Sequence, residues 1–184
     1  MTIAEAKAAL RKQALAQRRE AHRVNLGAAS EAAARFLDEG FHLGARVIAA
    51  YRPIRTEIDP TPLMIALIEA GCRLSVPVIE GEGRPLAFRE WTPGAPSMAG
   101  PFGAEVPEAG AWLTPDVVIA PLLAFDAGCW RLGYGGGYYD RTLARLDARA
   151  IGLAYAAQHV EAVPREPTDR RLDAVVTDAG VFRP

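Results

Sequence analysis

Long apolar runs are missing from this sequence. The longest, VVIAPLLAF at Val117–Phe125, has nine residues and a proline inside it, whereas a membrane-spanning helix needs about 20. No apolar leader stands at the start either, because Glu5, Lys7, Arg11 and Lys12 put charge there. Together these absences predict a soluble, cytoplasmic protein with no membrane partner. Cysteine is scarce: Cys72 and Cys129 are too few for a disulfide framework or a cysteine-rich zinc site, although one bridge between them stays open. His22, His42 and His159 fit no metal-ligand spacing. No sign of charge is in excess, with 21 basic and 22 acidic side chains, which argues against a general nucleic-acid binder. Lysine is nearly absent, Lys7 and Lys12 being the only two, so abundant arginine reflects compositional bias rather than function. What is present is ordinary for a globular chain: 184 residues, 50% hydrophobic and 23% charged. That composition excludes disorder as the main state and predicts one domain spanning residues 1–184.

Proline is missing before Pro53 and again between Pro121 and Pro164, the two regions most able to hold long helices. The first, from Ile3 to Glu39, is rich in Ala, Leu, Arg and Glu, and Asn25 and Gly27 are expected to split it into two helices, with Gly40 following the second. Arg46–Tyr51 reads as a buried strand. Asp59 and Pro60 open a helix that ends at Gly71. Cys72–Ile79 and Leu86–Trp91 read as further strands, and Thr92–Gly110 as a long ordered loop without regular structure. Asp116–Pro121 is the clearest buried strand. A helix from Tyr138 to Asp147 leads to a strand at Ala150–Tyr155, and Asp173–Asp178 is read as the last strand. Strands alternating with helices predict an α/β layered sheet.

The most informative stretch is Arg131-Leu132-Gly133-Tyr134-Gly135-Gly136-Gly137-Tyr138-Tyr139-Asp140-Arg141. Four glycines in five residues permit left-handed conformations and expose backbone N–H groups that can cradle phosphate oxygens. Arg131 and Arg141 bracket the stretch with suitable charge. It is not a Walker A motif, since no Gly-Lys-Ser/Thr follows, nor the dinucleotide fingerprint, since Tyr138 takes the place of the third glycine. On composition alone, a tight strand-to-helix turn without a ligand explains it as well. The neighbouring tyrosines, which offer flat faces for a heteroaromatic ring, and Asp140, a hard oxygen ligand, tilt the balance toward a site.

This stretch, following Pro121-x-x-x-Phe125-Asp126, resembles the signature of the 5-formyltetrahydrofolate cyclo-ligases, also called 5,10-methenyltetrahydrofolate synthetases. The resemblance extends to KAALR (Lys7–Arg11), YRPIRTEID (Tyr51–Asp59), VPVI (Val76–Ile79), FREWTPG (Phe88–Gly94), PFGAEVPE (Pro101–Glu108), IGLAYAAQ (Ile151–Gln158) and PTDRRLDAVVTD (Pro167–Asp178). It implies a single-domain three-layer α/β/α sandwich with a mostly parallel central sheet. It also implies an ATP- and Mg²⁺-dependent ligase acting as a monomer on 5-formyltetrahydrofolate, with ADP and phosphate released.

The resemblance implies roles residue by residue. Lys7 and Arg11, four apart and on one helical face, match contacts to the ATP phosphates. The segment Arg131, Leu132, Gly133, Tyr134, Gly135, Gly136, Gly137, Tyr138 and Tyr139 matches the nucleotide contacts, with Tyr134–Tyr138 also near the folate. Glu57 matches a folate contact that orients the pterin or the N10 hydrogen, and Arg52 a neighbouring substrate position that is usually less charged. Catalytic work falls to Glu57, Arg131 and Lys7. Asp140 and Asp169 match magnesium positions; Thr168 stands where many relatives have histidine. Trp91 and Phe102 are candidates to wall the pterin pocket, and Arg18, on the stripe of Lys7 and Arg11, is given no role. Without the resemblance the basic stripe reads as a solvated face and Glu57 as an exposed loop carboxylate. Two other functions stay open: a non-catalytic folate-binding regulatory relative on the same fold, and a kinase acting on another small molecule.

Overall fold

The structure is a computed structural model and describes residues 2–184. Helix α1 (Ile3–Val24) starts at a capping box: Thr2 Oγ1 accepts the Glu5 N–H at 3.2 Å, and Glu5 Oε2 accepts the Thr2 N–H at 2.8 Å. It stops at Asn25, and α2 (Ala28–Asp38) follows, so the break falls at the expected Asn25–Gly27. Gly40, at φ +66°, turns the chain away from α2.

Strands β1 (Val47–Ala49), β2 (Arg73–Val78), β6 (Val117–Ala120), β9 (Arg149–Ala154) and β10 (Ala174–Thr177) are parallel and lie in the order β2-β1-β6-β9-β10. Antiparallel β3 (Ala87–Trp91) and β11 (Val181–Phe182) close the two edges. This seven-stranded, mostly parallel sheet has the doubly wound order in which strand order reverses beside β1. Its strands are short apolar runs because both faces are covered. Alternate residues serve opposite faces: Val117 and Ile119 join Ile48, Leu74 and Val176 against α2 and α3 (Thr61–Glu69), while Val118 and Ala120 face α4 (Tyr138–Leu143) and its neighbours. α3 opens as read, with the Asp59 carboxylate accepting the Thr61 N–H at 2.9 Å, although Pro62 rather than Pro60 takes its first turn.

Several expectations are corrected. Thr92–Gly110 is not irregular: β4 (Ser97–Ala99) pairs antiparallel with β5 (Glu105–Pro107), and the turn at Pro101–Gly103 joins them. Gly100 N–H donates to the Ala104 carbonyl at 2.8 Å and Gly103 sits at φ +81°, so the glycines and proline that suggested a loop build the hairpin's turn. The second proline-free stretch holds no long helix. It contains β7 (Ala124–Phe125), β8 (Arg131–Leu132) and the six-residue α4, which ends at Leu143 rather than Asp147 because the chain must return to put Arg149 beside Val117. Asp173–Asp178 is the last strand of the parallel set, but β11 follows it. Cys72 and Cys129 are free and buried. Among the described residues, no helix is long and apolar enough to cross a membrane.

Candidate active site at the strand ends

In an open parallel sheet the loops leaving the carboxyl ends diverge where strand order reverses, and the gap between them is the usual binding crevice. Here that gap is a cleft of about 1040 Å³. Tyr51, Arg52 and Glu57 reach it from the loop after β1, Pro77 and Ile79 from the end of β2, and Pro121 from the end of β6. The glycine stretch, the N-terminal part of α1, the β4–β5 turn and the segment Glu166–Arg170 complete the walls.

One end is ionic. Contrary to a solvated stripe, Lys7 points inward and is buried, donating to Glu166 Oε2 at 2.7 Å and to both oxygens of Asp169 at 2.9 and 2.7 Å. Burial pulls its ammonium down, but the hydrogen bonds and charges of the two carboxylates prevail and hold it above the usual lysine value. Arg11 Nε donates to the Gly133 carbonyl at 2.9 Å, and a side chain on Gly135 would sit 3.2 Å from the Arg11 guanidinium. Gly135 (φ +103°) and Gly137 (φ +66°) occupy backbone conformations that L side chains resist, so the loop depends on glycine at both. Arg131 is buried; its Nη2 donates to Asp140 Oδ1 at 2.9 Å, and its Nε has no partner. Asp140 Oδ1 also accepts the Arg170 N–H at 3.0 Å, which brings Asp140 beside the neighbour of Asp169 despite their separation in sequence. Leu132 packs beneath this end, and Tyr139 lies partly in the core with its ring 5.6 Å from the Arg131 guanidinium.

The donor set suits a magnesium ion in type. Asp140 and Asp169 are hard oxygen ligands on one cleft, and the second oxygen of Asp140 takes no hydrogen bond among the described residues. No group of three His, Cys, Asp or Glu among the described residues could hold a metal ion; magnesium commonly keeps several waters and is bound through one or two carboxylates together with substrate phosphates.

The other end is aromatic and encloses one acid. Glu57 is not an exposed loop carboxylate but is 5% exposed; its Oε2 accepts the Ile54 N–H at 2.9 Å. Burial pushes it up to about 7, against the opposing pull of that N–H and of Arg18. Tyr138 faces Phe102 edge-on, with centroids 6.4 Å apart, and Tyr134 lines the rim. Phe102 lines the cleft. Trp91 does not: it packs against the main core, and its ring carries the Arg52 guanidinium at 5.6 Å. Arg52 lines the cleft but also pairs with Glu105 at 3.3 Å.

Sequence reasoning passes over two residues. Glu166, beside the matched Pro167–Asp169 segment, shares Lys7 with Asp169. Arg18 lies buried beneath the cleft, and its place on the Lys7–Arg11 stripe is the available signal. Asp126, at the end of the Pro-x-x-x-Phe-Asp motif, organises its own loop, where its oxygens accept N–H bonds from Gly128, Trp130 and Val163. His159 packs against Phe125 and Phe182.

Comparison with known proteins bears on this geometry. The sequence model of the 5-formyltetrahydrofolate cyclo-ligase family matches residues 3–178. Curated proteins named 5-formyltetrahydrofolate cyclo-ligase are similar to this chain: that of Mycolicibacterium smegmatis is 32% identical over 75% of this chain and 76% of its own length. That of Escherichia coli K12 is 34% identical over 75% and 81%. The solved structure of Aquifex aeolicus 5,10-methenyltetrahydrofolate synthetase superposes with a TM-score of 0.78 at 31% identity, covering 96% of this chain and 92% of that one. A Mycoplasma pneumoniae 5,10-methenyltetrahydrofolate synthetase shares the fold, with a TM-score of 0.73 at 24% identity.

Proposed function

The chain belongs to the 5-formyltetrahydrofolate cyclo-ligase family, and from that premise we propose that its cleft converts 5-formyltetrahydrofolate to 5,10-methenyltetrahydrofolate, with ATP split to ADP and phosphate. The observation that carries the reading is the division of one cleft into a cationic, glycine-lined end and an aromatic end with a buried acid. A triphosphate fits the first and a reduced pterin the second.

An N-formyl group is an amide, and its oxygen is a poor leaving group. In the proposed route that oxygen attacks the ATP γ-phosphorus, the bond to the bridging oxygen breaks, and ADP leaves with the electron pair. N10 then attacks the activated formyl carbon, loses its proton, and phosphate departs with the C–O electron pair, leaving the cyclic amidinium. No covalent protein nucleophile is needed, so catalysis is positioning and charge stabilisation. Lys7, Arg11 and Arg131 neutralise the phosphates, and the backbone of Gly133–Gly137 packs against them. Lys7 must exchange its carboxylate partners for phosphate when nucleotide enters, and the unpartnered Arg131 Nε offers a donor already desolvated. Glu57 receives or orients the N10 proton, and Tyr138 and Phe102 flank the pterin. Asp140 and Asp169 would hold Mg²⁺, which when bound supplies screening of the triphosphate charge.

The test is to mix the protein with 5-formyltetrahydrofolate, ATP and magnesium and follow the methenyl chromophore together with ADP. One ADP per methenyl product, and transfer of an ¹⁸O label from the formyl group into phosphate, are expected. Folate binding without turnover would instead favour a non-catalytic relative, and ADP formed only with another acceptor a kinase.

A further inference from the structure

Arg18 has no exposed surface, alone among the charged side chains described, and the chemistry above does not use it. An arginine stays charged at any working pH, and an unpaired buried charge is strongly destabilising. Yet the nearest carboxylate oxygen, Glu57 Oε1, is 3.8 Å from its Nη1. Its donors go mainly to neutral oxygens. Nε donates to Thr56 Oγ1 at 3.2 Å, Nη1 to the Leu122 carbonyl at 3.4 Å, and Nη2 to the Tyr134 hydroxyl. The guanidinium also lies 5.5 Å from the Tyr134 ring centroid.

Those acceptors belong to three segments: the loop after β1 that carries Glu57, the turn after β6, and the glycine stretch. Buried ion pairs can often be replaced by apolar side chains of similar volume without loss of stability. What a rigid fork of donors adds is registry among the segments it joins. We propose that Arg18 is a positioning residue for ring closure: from beneath the cleft it docks Tyr134 of the glycine stretch and aims the Glu57 carboxylate, fixing the nucleotide end of the site relative to the folate end. This rests on the function proposed above.

The titratable and charged groups near enough to Glu57 to exchange electrostatic influence with it are Arg18 from α1, Tyr51 from the loop after β1, and Tyr134 and Tyr139 from the glycine stretch and α4. Arg18 is the cation among them, and its charge favours the ionised carboxylate. Kinetics of Arg18→Met, Arg18→Lys and Tyr134→Phe, each with kcat and KM for both substrates across pH, and with thermal unfolding, provide the test. Arg18→Met should lower kcat by about tenfold to a hundredfold, as misplacement of a reacting group does, and move the acid limb of the kcat profile to higher pH. Arg18→Lys should return that limb toward the wild-type position while restoring only part of kcat. Tyr134→Phe should leave the limb in place and raise KM for ATP.

An Arg18→Met protein that loses thermal stability but keeps the wild-type kcat and limb would overturn the inference. If that variant does not fold, wild-type kinetics in both Arg18→Lys and Tyr134→Phe would overturn it equally. Absence of ATP-dependent turnover in the wild type would instead defeat the proposed function, and this inference with it.

Discussion

The two ends of the cleft handle charge in opposite ways. At the ionic end Lys7 sits between Glu166 and Asp169, and Arg131 against Asp140, so these cations already have counter-charges. At the aromatic end Glu57 is buried with a cation only at 3.8 Å, and burial raises its proton affinity. The first arrangement is charge-paired within the chain, and on the proposed function it exchanges partners when a triphosphate enters. The second is held under stress by the fold, which suits a group that takes a proton near neutral pH. On the function proposed above, binding work and proton work fall to different ends of one site.

Substitutions at the two ends should therefore fail differently. The largest effect is expected from Glu57→Gln, which should lower kcat by about 10²–10⁴ with little change in KM for ATP. The same change should stabilise the fold above pH 7, where the burial of the carboxylate outweighs its attraction to Arg18. The folded carboxyl titrates at about 7, above the ordinary glutamate value, so the folded state binds the extra proton between the two. The wild type consequently loses stability as pH rises from the unfolded value through 7, by about 3 kcal/mol in full. Thermal unfolding at pH 8 should show Glu57→Gln above the wild type, and at pH 4 the two should coincide. Equal melting at both pH values would mean the carboxylate is better solvated than its burial indicates.

Next, Lys7→Met should lower kcat/KM for ATP by about 10²–10³, as loss of one preorganised charge stabiliser does, while folate affinity measured by titration stays near wild type. Asp140→Asn should likewise reduce turnover far more than folate affinity. Equal losses in both would erase the distinction between the ends. Gly135→Ala, which forces a side chain into φ +103° against Arg11, should raise KM for ATP by about tenfold, a strain of about 1–3 kcal/mol. Phe102→Ala should have the smallest effect, a few-fold rise in KM for the folate, consistent with about 1 kcal/mol from one aromatic contact.

The parallel strands were legible because Val117–Ala120 and Ala174–Thr177 are apolar runs too short for helices. The glycine stretch was legible because its chemistry is local in sequence. The hairpin at Ser97–Pro107 was hidden by the glycines and prolines of its own turn, and β7, β8 and β11 are two residues each, below any periodic signal. In the site, resemblance drew attention to Asp140 and Asp169, but not to their pairing with Arg131 and Lys7, which tertiary folding selects. The inward face of α1 carries Lys7, Ala14, Arg18 and Ala21, so a stripe that reads as solvated when cations are counted is the buried one. The helix places Arg18 on the stripe of Lys7 but not its partners; those are Thr56, Leu122 and Tyr134, distant in sequence.

The most direct measurement is a crystal structure with a non-hydrolysable ATP analogue and magnesium. The triphosphate is expected against Gly133–Gly137, with Lys7 Nζ moved from Asp169 onto a phosphate oxygen and the ion on Asp140 and Asp169. A triphosphate bound elsewhere, with the glycine stretch packed as it is without ligand and Lys7 still on its carboxylates, would contradict the division of the cleft proposed above.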